Sequence, residues 1–442
     1  MNFLVPLLLV VGLAGYPADQ PSLTFKGNPA PAVRGNVRLD AKPVVSGADD
    51  EAVALWNAQP AAEDQNATAK DAGKKRWLSQ AGFGLMFHYE VFSNHTSASY
   101  NKVVESFKVI PFADAVESTK ARYVIFTVGQ HWGHFCAPNA TYERLLGVRP
   151  GVWTSRRDLI MELGKELKRR DIRLILYMTA RAPMRHYKII KAMGDALPTI
   201  NGKPAGPGVN TMSHPRKVKG FRRSENQAPP PTFLKNWGSV CGEWSTRYGS
   251  LVSGWWFDGY KMEMKNAYQG LKQHEYNIDT WITAVRSGNP DTELAFNAGA
   301  HPILSLCTRG RLCPHQTFTA GENQGFHQRT KKGPGKLLTP RNFPAPEGVI
   351  WHLLLPLSKG WGAGVTSRFD LDTLKDRIGL INNQGGVVTL DVPVSSDGTI
   401  PRGILEVLQK AGPEIQAPKD RRSRPLEKVK TLQARLYRFL NN

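Results

Sequence analysis

Ser253-Gly254-Trp255-Trp256-Phe257-Asp258-Gly259-Tyr260 is the stretch on which the reading of this chain turns. A short apolar, aromatic run that stops abruptly at a carboxylate followed by glycine has the profile of a buried strand delivering an acid to its C-terminal end. Two roles suit such an acid. It caps the helix that follows, as Asp does at many strand-to-helix turns, or it stands in a pocket with aromatic walls. Working outward in both directions, short apolar segments of the same kind recur at 82–88, 123–128, 174–178, 293–297 and 387–391. Amphipathic stretches separate them. Residues 157–169 follow Trp153-Thr154-Ser155, a capping sequence, and space Leu159, Ile160, Leu163 and Leu167 along one helical face. Buried strands alternating with helices argue for parallel βα units, and so for an α/β fold of the (β/α)8-barrel type with its site at the strand C-terminal ends.

The strand ends carry the chemistry. His88, Tyr89 and Glu90 close the first segment, Gln130, His131 and Trp132 the second, Tyr177 and Thr179 the third, Asp258 the fourth and Asn297 the next. In a barrel these converge on one face. No G-x-G-x-x-G turn follows the first strand, so no dinucleotide cofactor is expected. His88, His131 and His134 either bind a metal or donate to ligand hydroxyls. Neither H-x-H nor H-E-x-x-H spacing accompanies His131, which favours hydroxyl binding and no metal. A second carboxylate to work with Asp258 is sought among Glu322, Glu263, Glu90 and Glu347. Glu322 is preferred because it sits in the Gly-flanked turn Thr319-Ala320-Gly321-Glu322-Asn323-Gln324-Gly325 with no apolar periodicity to explain it. Trp132, Trp256, Trp351 and Trp361 either stack on a ligand or fill the core.

Net charge is +21, from 58 Lys and Arg against 37 Asp and Glu, with dense basic runs at 216–223 and 419–438. Such charge attracts polyanions or simply solvates the surface. No aromatic-interleaved motif accompanies it, so nucleic acid is not expected as a partner. Residues 1–15 have the apolar run and small-residue end of a signal peptide, though without its usual positive start, and are too short to span a bilayer. The expected organisation is a signal peptide at 1–15, a flexible leader at 16–74, a catalytic barrel at 75–415 and a basic tail at 416–442. The expected location is secreted or periplasmic. Four cysteines suit an exported protein with one or two bridges, and Cys307 and Cys313 bracket a loop short enough for a disulfide to close. Asn66, Asn94 and Asn139 head N-x-S/T sequons. The Gly-, Pro- and Lys-rich stretch 193–231 reads as an insertion in a βα loop.

Several blocks resemble the retaining α-L-fucosidases. Trp77 with Phe83-Gly84-Leu85-Met86-Phe87-His88 is similar to that family's opening strand, and 126–135 to its second strand and loop. Arg157-Asp158-Leu159, Trp256-Phe257-Asp258-Gly259, residues 383–390 and Asp397-Gly398-Thr399-Ile400-Pro401 follow in family order. The resemblance runs from Trp77 to about Gly412 and implies a glycoside hydrolase, an exo-acting enzyme that releases a terminal deoxy sugar with Asp258 as nucleophile. It further implies Glu322 as acid/base, with His88 and His131 as ligands of sugar hydroxyls; Trp132, Tyr177, Trp256 and Trp361 complete the candidates around the sugar. The chain departs from the family at Tyr89-Glu90, Trp132 and Met178, which points to a changed sugar, sulfated or acidic, on the same fold. A non-catalytic carbohydrate-binding barrel is the reading from a different class. The partner is then a carbohydrate, with an anionic polysaccharide suggested by the basic surface.

Overall fold

The computed structural model describes residues 76–91, 94–206, 218–330 and 333–415, all within one compact unit. The signal-peptide, leader and tail readings, and the sequon at Asn66, lie outside these residues. Seven strands form one parallel sheet: β1 Phe83–Phe87, β2 Tyr123–Thr127, β3 Arg173–Thr179, β4 Val252–Asp258, β5 Glu293–Asn297, β6 His352–Pro356 and β7 Val387–Asp391, in the spatial order β6-β7-β1-β2-β3-β4-β5. Almost every residue of these strands is buried, as expected for parallel strands covered on both faces. The barrel reading of the sequence holds.

The gap between β5 and β6 is closed by residues 316–323, an irregular eighth strand. Thr317 N donates to Leu294 O at 2.8 Å on one side; on the other, Thr319 N donates to Ile350 O at 3.0 Å and Leu354 N to Gly321 O at 2.9 Å. Gly321 is required here. Its φ is +72°, and a Cβ would stand 2.3 Å from the His352 carbonyl oxygen. The sequence reading placed Glu322 in a free turn; the bridge between Glu322 and Leu354 instead puts it at the C-terminal end of this eighth strand.

Helices wrap the sheet for identifiable reasons. Leu159–Arg169 starts two residues later than its pattern suggests, because Asp158, and not Ser155, accepts from Met161 N as the cap. Its buried side chains are Leu159, Ile160, Leu163 and Leu167. Inside the barrel, Met86, Tyr123, Ile125, Ile175, Tyr177, Trp256, Phe318 and Leu354 form their own cluster. His352 is buried there too, bonded to Thr319 O at 2.9 Å and Thr389 Oγ1 at 2.6 Å, and burial pulls it down to about 4, so it is neutral.

Two sequence expectations are corrected. All four cysteines are buried free thiols, and Cys307 contacts Gln316 rather than Cys313. Asn139 is 1 % exposed and caps the helix Ala140–Leu146, so it offers no glycan acceptor. Within that helix, Glu143 is buried and accepts from the backbone N–H groups of Gly151, Val152, Trp153 and Thr154 at 2.9–3.1 Å. Glu143→Ala leaves those donors buried without an acceptor. The expected loss is about 3 kcal/mol of stability, read by urea unfolding. A loss within 0.5 kcal/mol would show that the loop does not depend on this carboxylate.

Candidate active site

The C-terminal rims of the strands bring the chemical groups together, and the register places Thr179 beside Asp258 and Asp258 beside Asn297. Asp258 is not a helix cap, since Lys261 holds that position for Met262–Gly270. Its Oδ2 accepts from Tyr177 Oη at 2.7 Å, while Oδ1 accepts from Asn297 Nδ2 at 2.8 Å and Gly259 N at 2.9 Å. Three donors on one carboxyl suit its charged form. Gln130 Nε2 donates to the Tyr177 hydroxyl, which leaves that hydroxyl's proton to Asp258.

Asn297 Nδ2 also bonds Glu322 Oε2. One amide nitrogen bonded to both acids holds their nearest oxygens roughly 5 Å apart or less, the reach of two hydrogen bonds through a shared donor. The Glu322 carboxyl is pushed up to about 7, chiefly by burial and next by the charge of Asp258; Asn297, Lys261 and His88 pull the other way. Burial and a neighbouring acid together hold the proton of Glu322 to higher pH than an ordinary carboxyl keeps it. The competing acids lie elsewhere: Glu90 pairs with His95 at 2.8 Å, Glu263 lies 3.9 Å from Arg222, and Glu347 is exposed.

His88 is anchored through Nδ1 to Asp391 Oδ1 at 2.6 Å, and Asp391, fully buried, takes Gly362 N on its other oxygen. Burial opposes protonation of His88, but Asp391, then Asp258 and Glu322, outweigh it and raise its pKa. The ring meets Tyr177 and Trp361 edge-on at 5.7 and 5.9 Å. Trp361 is partly exposed at the rim. Trp256 lies a layer deeper, 2 % exposed, stacked on Tyr177 at 5.2 Å with its Nε1 donating to Ala320 O. It forms the floor beneath Tyr177.

On the loop after β2, burial lowers the pKa of His131. Trp132 is partly exposed, with the Arg185 guanidinium 4.0 Å above its ring. His134 instead packs between Tyr100 and Trp153 and is pulled down to about 3 by burial, so it belongs to the scaffold. Among the described residues no group of three His, Cys, Asp or Glu side chains is placed to hold a metal ion.

Sequence reasoning named Gln130 and Asn297 as strand-end groups without giving them a role, and it missed Asp391, Arg185 and Glu225. Asp391 carried a usable signal, because it ends a strand read from the sequence with a polar side chain, as Asp258 does.

No family model and no curated protein matches the sequence. Solved structures do. An endo-fucoidan hydrolase of glycoside hydrolase family 107 aligns with TM-score 0.51 and 15% identity over 76% of this chain and 52% of its own. The fold is shared with that hydrolase. Another endo-fucoidan hydrolase of the family aligns with TM-score 0.50 and 14% identity over 78% of this chain and 64% of that one. An α-L-fucosidase from Paenibacillus thiaminolyticus follows with TM-score 0.48 and 16% identity, covering 76% and 74% of the two chains. The chain thus spans about half the length of the first of these hydrolases. Among the described residues no helix is long and apolar enough to cross a membrane.

Proposed function

We propose that the protein is an exported, exo-acting retaining glycoside hydrolase that releases a terminal deoxy sugar of the α-L-fucose type. The observation that carries the reading is the pair Asp258 and Glu322 held by the single amide of Asn297. Retaining enzymes place their acids roughly 5 to 5.5 Å apart, inverting ones roughly 6.5 to 9.5 Å. In the first step Asp258 attacks the anomeric carbon as the bond to the leaving oxygen breaks, and Glu322 gives that oxygen its proton. Oδ2, with one donor against two on Oδ1, is the oxygen better suited to attack. In the second step Glu322 takes a proton from water as the water oxygen attacks the anomeric carbon, and Asp258 leaves as carboxylate. The names borne by the structural neighbours and the sequence blocks support fucose as the sugar class. The facing acids argue against a catalytically silent barrel.

A second reading, a sulfated or acidic sugar, draws on Arg185. Its guanidinium is half-buried, rests on Trp132 and has no acidic partner among the described residues, and desolvation lowers its pKa. The test is turnover of an aryl α-L-fucoside beside neutral, sulfated and uronic aryl glycosides. Fucoside hydrolysis supports the first reading, hydrolysis of charged glycosides alone the second, and turnover of none contradicts both.

Asn297→Ala gives a signed test of the acid pair. The Asn297 bond lowers the Glu322 pKa, so its loss carries that value above about 7. The alkaline limb of kcat/KM, where Glu322 loses its proton, is expected to move to higher pH while the maximal rate falls. A limb that stays in place or moves to lower pH would show that Glu322 is not the acid.

A further inference from the structure

Between β3 and the helix Pro231–Tyr248 the chain leaves the barrel, forms a small sheet from Thr199–Ile200, Lys203–Pro204 and Phe221–Arg222, and returns through a short turn, Ser224–Asn226. The return is clamped. Arg181, 1 % exposed just past β3, pairs with buried Asp195 and donates to Gln227 O at 2.7 Å, while Gln227 Nε2 donates to Leu197 O at 2.7 Å. Glu225, two residues before Gln227, is therefore fixed relative to the barrel rim.

Glu225 is 8 % exposed, yet only Oε1 has a hydrogen-bond partner among the described residues, Arg223 Nη1 at 3.2 Å. Its Oε2 lies 3.6 Å from where a Cβ would stand on Gly259, the residue next to Asp258. Glu225 and Asp258 are the two acids whose charge reaches His131, and His131 Nδ1 is itself buried with no partner among the described residues. The second oxygen of Glu225 lies open near Gly259, the residue that follows Asp258 at the end of β4. A hydroxyl arriving with the ligand has there a carboxylate acceptor, which makes the stronger kind of hydrogen bond.

We propose that Glu225 is a specificity-determining residue whose Oε2 accepts a hydrogen bond from one ring hydroxyl of the sugar seated against Asp258. This rests on the reading that a glycoside docks there. It follows that this one hydroxyl must be unsubstituted: a sulfate ester at that position would bring two anions together and remove the donor.

The experiment is a cycle of enzyme and substrate changes. Wild type, Glu225→Ala, Glu225→Gln and Arg223→Ala are assayed on the aryl glycoside that wild type hydrolyses and on its monodeoxy analogues. Glu225→Ala is expected to lower kcat/KM for the parent by about 10- to 100-fold, the worth of a hydrogen bond to a charged group, and by under twofold for one deoxy analogue. Equal losses on every analogue, matched by Arg223→Ala, would assign Glu225 to holding the turn and overturn the inference, as would no loss at all. Glu225→Gln, close in shape, supplies the same readout if the alanine variant does not fold. Wild type that hydrolyses no glycoside would refute the functional reading, and this inference with it; wild type that is active while its Glu225 variants lose evenly refutes the inference alone.

Discussion

Asp258→Ala is expected to lower kcat/KM on a glycoside substrate by on the order of 10⁴-fold or more, with the protein still folded, because the proposed mechanism gives the bond to the anomeric carbon to this carboxylate. The side chain is held by Tyr177, Asn297 and Gly259, and its loss leaves a small polar vacancy at the barrel mouth rather than a core cavity. A small anion such as azide fits that vacancy. Added azide should restore part of the rate and yield a glycosyl azide of inverted configuration, because the anion then attacks from the face Asp258 occupied. A variant that keeps more than a tenth of the activity would remove Asp258 from the chemistry.

Glu322→Gln is expected to act on rate and stability in opposite directions. The glutamine cannot donate a proton to a poor leaving group, and general acid catalysis is worth about 10² to 10⁴ in rate. Substrates whose aryl leaving group needs no proton should lose far less. Stability follows from the raised pKa. The folded protein binds the Glu322 proton more tightly than the unfolded chain, so the wild type loses stability as pH rises from the ordinary carboxylate range through about 7. The glutamine does not ionise. The variant should therefore melt higher than wild type at pH 8, by an amount corresponding to about 1–3 kcal/mol, and the difference should vanish near pH 4. Equal melting temperatures at pH 8 would mean that Glu322 is not a strained buried acid.

Much of the barrel was legible because its strands are short, fully buried and end abruptly. The segments 293–297 and 387–391 coincide with β5 and β7, and the aromatic strand before Asp258 is β4. β6 escaped because apolar residues continue on both sides of His352–Pro356, a run that periodicity assigns to neither strand nor helix, and because it ends in proline. The eighth strand escaped for the opposite reason. Gly321 at positive φ breaks the alternation of residues 316–323, so the segment reads as a turn although it completes the barrel.

The site was legible where a side chain's setting is local. Asp258 after an apolar strand and His88 at the end of another announce themselves. Asn297 and Asp391 were visible as strand ends, but their roles, bridging two acids and orienting a histidine, exist only once distant strands are side by side. Glu225 lies in an insertion without periodicity, and only the Arg181 clamp, built from residues 14 and 46 positions away, brings it to Gly259. Trp256 shows the converse. Its neighbour Asp258 marked it as a wall of the pocket, but on the same face of β4 it lies one layer deeper, its ring in the barrel interior beneath Tyr177.

The most direct measurement is mass spectrometry of the enzyme treated with a 2-deoxy-2-fluoro glycosyl fluoride of the sugar it hydrolyses, followed by peptide mapping. A single glycosyl adduct on the peptide carrying Asp258, formed as activity is lost and reversed as activity returns, is the expected result. An adduct on another residue, or turnover of the reagent with no covalent species, would contradict Asp258 as the nucleophile of a retaining mechanism.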